Sequence, residues 1–390
     1  MSEGKADAVG KADHVALVIT RFGDGGVERM LVNTANGLAE LGVEVSLLAG
    51  QSQGPYLDLL SPRVRCCVLD QQRPQQCLAA FLRATRPGAA ISGKLADDRI
   101  LIGARDAAGV ATRVYFRVGN PLGYRAGARN GNPLARWWKL RNLRRLYHRA
   151  DGYIAVSRGI ADDLVRYLDV PRERIHVLPN PVVTDALLNQ PRTRPGHPWF
   201  APGEPPVILG AGGLRQQKDF STLIRAFALL RARRRCRLVI LGEGRQRRRL
   251  ERLVRNLGVE EDVDLPGWKP DLHAYMAHAA VFALSSRWEG FGNVLVEAMA
   301  LGTPVVATDC PTGPREILQG GKRGALVPVG ESDALADALD GALEVPPSTD
   351  LSRQAAEPYR VVRSAMAYLD ALGLKPTESA VFCPHGAKGV

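Results

Sequence analysis

Short apolar runs alternate with amphipathic stretches along most of the chain. The run HVALVIT (14–20) gives way to a glycine-rich turn. VERMLVNTANGLAELG follows, with Val27, Met30, Leu31, Leu38 and Leu41 at helical spacing, and then the strand-like VEVSLLA (43–49). Further strand-like runs fall at 64–69, 88–92, 112–116, 152–156 and 175–179, most of them separated by helical patterns. The stretch 189–206 breaks every period with six prolines and predicts a linker. Beyond it the alternation resumes at 206–212, 237–242, 262–267, 281–284, 303–308 and 324–329. Such βαβ repetition predicts an α/β chain of two doubly wound domains, each a mostly parallel sheet covered by helices on both faces. The expected division is a first domain over 1–188, a linker over 189–205 and a second domain over 206–355. A helix over 356–372 is expected to pack back across the junction, and 373–390 reads as a disordered tail. Ligands of such sheets bind at the carboxyl ends of the strands, so a cleft between two facing domains is the expected site.

Length and composition agree. A chain of 390 residues, 45% hydrophobic and 24% charged, suits two cores, and no run is long and apolar enough to span a bilayer. The polar opening MSEGKADAVGKAD offers no signal peptide. Six cysteines (66, 67, 77, 236, 310 and 383) show no zinc-like spacing, and their scatter suits reduced thiols in cytoplasm. The net charge of +12 is clustered in RARRRCR (231–237), RQRRRLERLVR (245–255) and RWWKLRNLRRLYHR (136–149). Blocks of this kind meet nucleic acid, anionic lipid or phosphorylated ligands, or are simply solvated helix faces.

Four loops carry candidate chemistry. In GDGGVER (23–29), Gly25 and Gly26 sit where backbone N–H groups approach an anion at a helix start; a tight turn explains them equally well, and G-x-G-x-x-G is not matched. GAGGLRQQKDF (210–220) holds the second domain's equivalent position. Arg215 and Lys218 beside Gly212 and Gly213 suit a diphosphate, or are ordinary surface bases. LGEGRQRRRL (241–250) is another glycine-flanked turn, and Arg245 is its candidate for reaching a ligand. The fourth is RWEGFGNVLVEAM (287–299). Glu289 precedes a helix that starts near Gly292–Asn293, and Glu297 lies in its first turns. Two carboxylates flanking an anion hole suit vicinal hydroxyls, as sugars and ribose offer; a capping acid plus a surface acid is the plainer reading.

With the four loops in register, the chain resembles the family-four retaining glycosyltransferases, whose GT-B fold sets two Rossmann-like domains across a cleft. The resemblance covers about 12–345 and is carried by QKDFSTLIRAF (217–227), RWEGFGNVLVEAMALGTPVVATDCPTGPREIL (287–318) and ADGYIAVSRGIADDLVRYLDVPRERIHVLPNPV (150–182). It implies an acceptor-side first domain and a nucleotide-sugar-binding second domain. By this resemblance Glu289 holds donor-sugar hydroxyls and Glu297 the ribose. The Phe291 and Gly292 N–H groups, flanked by Gly290 and Asn293, take the diphosphate; Lys218 neutralises it, and Gly25–Gly26 close over it. The PGWKPD loop (266–271), with Trp268, falls where such enzymes read the base, for which uridine is favoured. The implied reaction retains anomeric configuration by front-face attack, with the protein positioning reactants and stabilising the leaving diphosphate. No metal or other cofactor is required, and no DxD stands in a suitable loop.

Two positions depart from the family pattern. Gly213 stands where an arginine is usual, leaving Arg215 or Arg245 to supply the charge, with Arg215 favoured because it shares the loop. No histidine occurs between His14 and His148, so Arg117 and Asn120 in RVGNP (117–121) are the acceptor-side candidates. The expected partners are a UDP-sugar and a glycan or polyprenyl-linked acceptor; DCPTGPREIL resembles members acting in lipid-linked oligosaccharide or surface polysaccharide assembly. In 136–149, Trp137, Leu140, Leu143 and Tyr147 lie near one helical face among bases. That pattern suits docking on the anionic inner face of the cytoplasmic membrane, and equally a helix packed on its own sheet. The competing functions are a sugar-nucleotide epimerase of the same fold, an inactive scaffold, and a basic nucleic-acid- or membrane-binding protein. Nucleic acid is not expected, because no known binding module is present.

Overall fold

The computed structural model describes residues 11–23, 25–54, 56–125, 132–191, 193–346 and 348–375. The chain forms two compact units, one of residues 1–181 and 360–390, the other of residues 182–359. The expected tail lies outside the described residues from 376 onward.

The first unit is built on seven strands: β1 Lys11–Ile19, β2 Glu44–Ala49, β3 Arg65–Val68, β4 Pro87–Ser92, β5 Arg113–Val118, β6 Gly152–Ala155 and β7 Ile175–Val177. All pair in parallel in the order β3-β2-β1-β4-β5-β6-β7. The order reverses between β1 and β4, the crevice where doubly wound sheets hold ligands. Helix Val361–Leu372 joins this unit from the far end of the chain and packs on helix Gly26–Glu40. The contact is close: a Cβ on Gly37 would stand 2.7 Å from Val361 Cγ1. Tyr368, Leu369 and Leu372 thereby enter the core formed by β1, β2 and β4.

Helix Pro133–Tyr147 uses only half of its expected apolar stripe for packing. Leu143 and Tyr147 are buried, and the Tyr147 ring stacks on Tyr153 at 5.8 Å. Leu134, Trp137 and Trp138 are exposed, with Arg141 over the Trp137 ring at 5.2 Å.

The second unit carries β8 Val207–Ala211, β9 Arg237–Leu241, β10 Val263–Gly267, β11 Val281–Leu284, β12 Val305–Thr308 and β13 Ala325–Val327. Its order, β10-β9-β8-β11-β12-β13, is again all parallel and reverses between β8 and β11. The Pro-rich stretch does not divide the units: the division falls at 181/182, and 189–205 belongs to the second unit. Its aromatic residues explain why. Phe200 is buried edge-on to Tyr275 at 5.2 Å, and His197 Nε2 meets Asp264 Oδ2 at 2.9 Å. The unit's two ends are tied where the Val182 and Val183 N–H groups donate to Tyr359 O at 3.1 and 3.0 Å.

Candidate functional site

The loops after β8 and β11, on either side of the reversal, are bonded into one body. Arg287 N–H donates to Gln217 O (2.8 Å), Gln217 Nε2 to Trp288 O (3.0 Å) and Ser285 Oγ to Lys218 O (2.8 Å). Within that frame Lys218 Nζ stands 2.6 Å from Glu289 Oε1, and Ser286 Oγ donates to the same oxygen at 2.6 Å. Glu289 is buried and its backbone carbonyl is held by Thr312 Oγ1. Among the described residues Oε2 of Glu289 has no protein partner, so the carboxylate is fixed through one oxygen and open to a ligand through the other.

Gly292 is the N-cap of helix Asn293–Leu301, with φ of 111°, a left-handed conformation that side chains resist. No side chain caps that helix, and neither the Phe291 nor the Gly292 N–H is engaged among the described residues. Two donors therefore stand at the positive end of a helix dipole. Gly313 crosses directly behind: a Cβ there would lie 1.9 Å from Phe291 O. Only glycine permits this approach. Glu297, one turn into the helix, is buried, and His273 Nε2 of helix Leu272–His278 lies 3.7 Å from its Oε2. That imidazole nitrogen is itself buried without a hydrogen bond among the described residues. Cys310 is buried nearby; burial, and then the Glu289 carboxylate, push its thiol up to about 12.

The structure thus brings together Lys218, Glu289, Phe291, Gly292 and, along the same helix, Glu297, with Gly290 and Asn293 in the same turn. Arg215 is exposed and has no ion-pair partner among the described residues, and its Nε lies 3.2 Å from where a Cβ on Gly213 would stand. Arg245 is exposed on the loop after β9, and Trp268, 68% exposed, on the loop after β10. The arginines that follow Arg245 are not all solvated: Arg247 bonds Glu243 at 2.6 Å and the Leu265 carbonyl at 2.9 Å. Sequence reasoning missed His273 and the bond made by Ser286. Ser286 stands three residues before Glu289, a turn spacing that carries a weak signal. Nothing local marks His273.

In the first unit, Gly25 caps helix Gly26–Glu40. The loop there already closes on an internal carboxylate: Glu28 Oε1 accepts the Gly23 N–H at 3.0 Å and meets Lys94 Nζ at 2.5 Å. Arg117, near the end of β5, is buried, and its Nη2 donates to Asn180 Oδ1 at 2.5 Å. Its Nε and Nη1 have no partner among the described residues, and Asn120 is half-buried beyond it. Among the described residues no group of three or more His, Cys, Asp or Glu is placed to hold a metal ion, and no helix is long and apolar enough to cross a membrane.

Known proteins share both the sequence and the architecture. A model of the family Glycosyl transferases group 1 matches residues 197–358, and one of Glycosyltransferase Family 4 matches residues 116–186. The lipopolysaccharide core biosynthesis glycosyltransferase LpsE of Rhizobium meliloti is 30% identical over 324 residues, covering 81% of this chain and 85% of that protein. An N-acetylgalactosamine-N,N'-diacetylbacillosaminyl-diphospho-undecaprenol 4-alpha-N-acetylgalactosaminyltransferase of Campylobacter jejuni is 33% identical over 199 residues, 51% of this chain and 52% of that one. In fold, the chain is similar to Anabaena HepE solved with UDP-glucose, with a TM-score of 0.75 at 19% identity over 92% of this chain and 99% of the other. The apo lipopolysaccharide outer core galactosyltransferase WaaB gives a TM-score of 0.67 at 20% identity over 92% and 99%. With two all-parallel Rossmann-like units of the GT-B type, the chain belongs to the group 1, family-four glycosyltransferases.

Proposed function

We propose that the protein transfers a sugar from a nucleotide-diphosphate sugar, with UDP as the favoured carrier, to a glycan or lipid-linked acceptor in lipopolysaccharide or surface polysaccharide assembly, with retention of configuration and without a metal. The observation that carries this reading is the Lys218–Glu289 pair at 2.6 Å on the two loops flanking the strand reversal, beside the unengaged Phe291 and Gly292 N–H groups. Glu289 takes sugar hydroxyls through its open oxygen. The two N–H groups and Lys218 receive the charge that develops on the leaving diphosphate, as preorganised donors do in a water-poor site. Glu297 binds the ribose, and Trp268 stands at the base. Arg215 replaces the arginine absent at position 213; its arm lying against the Gly213 backbone supports that role.

The first unit is read as the acceptor side, with Arg117 and Asn120 at the end of β5. Relatives named for lipopolysaccharide core synthesis and for a diphospho-undecaprenol acceptor support the acceptor class. The exposed Trp137 and Trp138 among bases support docking on an anionic membrane surface. The test is a screen of UDP-, GDP- and ADP-sugars for hydrolysis and for transfer to lipid-linked acceptors, run with and without EDTA. Acceptor-dependent release of UDP, unaffected by EDTA, is the expected result. Conversion of the donor alone into an epimer would replace this reading with that of a sugar-nucleotide epimerase.

A further inference from the structure

The loop 213–219 has two sides, and Arg215 is the one residue that the donor reading shares with the second. Lys218 turns to Glu289, whereas Asp219, next in the chain, turns away to Arg287, whose Nε meets Asp219 Oδ2 at 2.9 Å. On this second side lies a pocket of about 180 Å³, walled by Arg215, Arg249 and Arg287 with Asp219, Ser221 and Gln246. Three arginines and one aspartate line it. The Asp219 carboxylate is committed: its Oδ2 also accepts the Thr222 hydroxyl at 2.9 Å. Neither Arg215 nor Arg249 has an ion-pair partner among the described residues. The pocket thus carries two uncompensated positive charges, since guanidinium groups do not lose their protons. Helices Phe220–Arg231 and Arg247–Asn256 begin beside it without side-chain caps, so their dipoles add the same sign. Asp219 is held at φ of 43°, unusual for a residue with a side chain, and its bonds to Arg287 and Thr222 keep it there.

We infer that this pocket is a second anion site for a phosphate or diphosphate group, distinct from the donor site and sharing with it the loop 213–219. The volume suits a phosphate-sized group and is too small for a whole nucleotide sugar. Guanidinium forks match phosphate oxygens, and Arg249 is available without breaking any existing pair even when Arg215 serves the donor. The phosphate comes from a free anion or from the head of a lipid carrier. The inference takes the donor site from the reading above, and the experiment separates the two.

The full chain is saturated with UDP and titrated calorimetrically with sodium pyrophosphate at constant ionic strength, as wild type, Arg249→Gln and Arg248→Gln. Arg248 is an exposed neighbour outside the pocket. The expected result is one pyrophosphate site, weakened on the order of tenfold or more in Arg249→Gln, and unchanged in Arg248→Gln, with UDP affinity equal in all three. No binding to wild type, equal affinity in Arg249→Gln, or equal weakening in both variants would overturn the inference. A parallel loss of UDP affinity in Arg249→Gln would also overturn it, by merging the pocket with the donor site. If UDP itself fails to bind, the donor reading has failed, and the pyrophosphate series still decides the pocket. Farnesyl diphosphate binding more tightly than pyrophosphate, with the same dependence on Arg249, assigns the phosphate to a lipid carrier; equal binding assigns it to a free anion.

Discussion

Lys218 and Glu289 stand 2.6 Å apart, ammonium to carboxylate, on loops that follow neighbouring strands. Side-chain exposures of 18% and 8% place the pair largely out of water, where removing one partner costs more than the pair contributes. Lys218→Ala leaves the Glu289 carboxylate with Ser286 alone and is expected to lower stability by about 3 kcal/mol. Adding Glu289→Gln, which removes the stranded charge, recovers part of that loss. Urea unfolding midpoints of the single and double variants check this; additive losses would contradict it.

His273 lies beside Glu297, and its expected effect runs through that carboxylate. Its Nε2 is 3.7 Å from the buried carboxylate and has no other partner among the described residues. His273→Ala is expected to weaken nucleotide binding about three- to tenfold and leave turnover at saturating donor unchanged. In a Glu297→Gln background the same change has no further effect, because contacting residues are not additive. Fluorescence titration with UDP across the double-mutant cycle measures it. Full additivity would mean that His273 acts elsewhere.

Trp137 and Trp138 project from a helix whose other end is anchored by buried Leu143 and Tyr147. Replacing both tryptophans by alanine removes little packing, so the melting temperature stays within a few degrees. Flotation with phosphatidylglycerol vesicles at low salt is expected to fall several-fold, since aromatics and bases together hold such helices at interfaces. Unchanged flotation, or none by the wild type, contradicts the membrane reading.

Alkali is expected to destabilise the fold. Burial pushes Cys236 up to about 11, and Cys310, Tyr153 and Tyr359 up to about 12. Groups with raised folded values hold their protons where the unfolded chain has released them. The native state therefore binds more protons, and stability falls as pH rises past the unfolded values towards 11 and 12. Each group contributes at most about 1.4 kcal/mol per pH unit in that window. Urea midpoints should be flat from about pH 7 to 8 and fall by about pH 10.5. A flat profile throughout would contradict it.

The thirteen strands were readable because parallel sheets covered on both faces need uninterrupted apolar runs such as HVALVIT and RLVILG. The helix start between Glu289 and Glu297 was readable because it turns on a glycine that must be one: Gly292, with φ of 111°. The unit boundary was not. Prolines mark broken periodicity, yet Phe200 and His197 fasten that irregular stretch to Tyr275 and Asp264, contacts that no local pattern announces. His273 and Thr312 meet the glutamates only through folding, from 24 and 23 residues away in the chain. The stripe 137–147 is covered at Leu143 and Tyr147 and exposed at Trp137, because periodicity reports which positions are apolar and does not say whether something covers them.

Glu289 and Glu297 are proposed to have different tasks at one helix end, Glu289 for the sugar and Glu297 for the ribose. Paired kinetics and UDP binding for Glu289→Gln and Glu297→Gln test it most directly. The predicted result is that Glu289→Gln lowers kcat by two orders of magnitude or so with UDP affinity within about twofold of wild type, whereas Glu297→Gln weakens UDP by about tenfold and spares kcat at saturating donor. The opposite pattern, or equal effects of both changes on kcat and on UDP affinity, would contradict it.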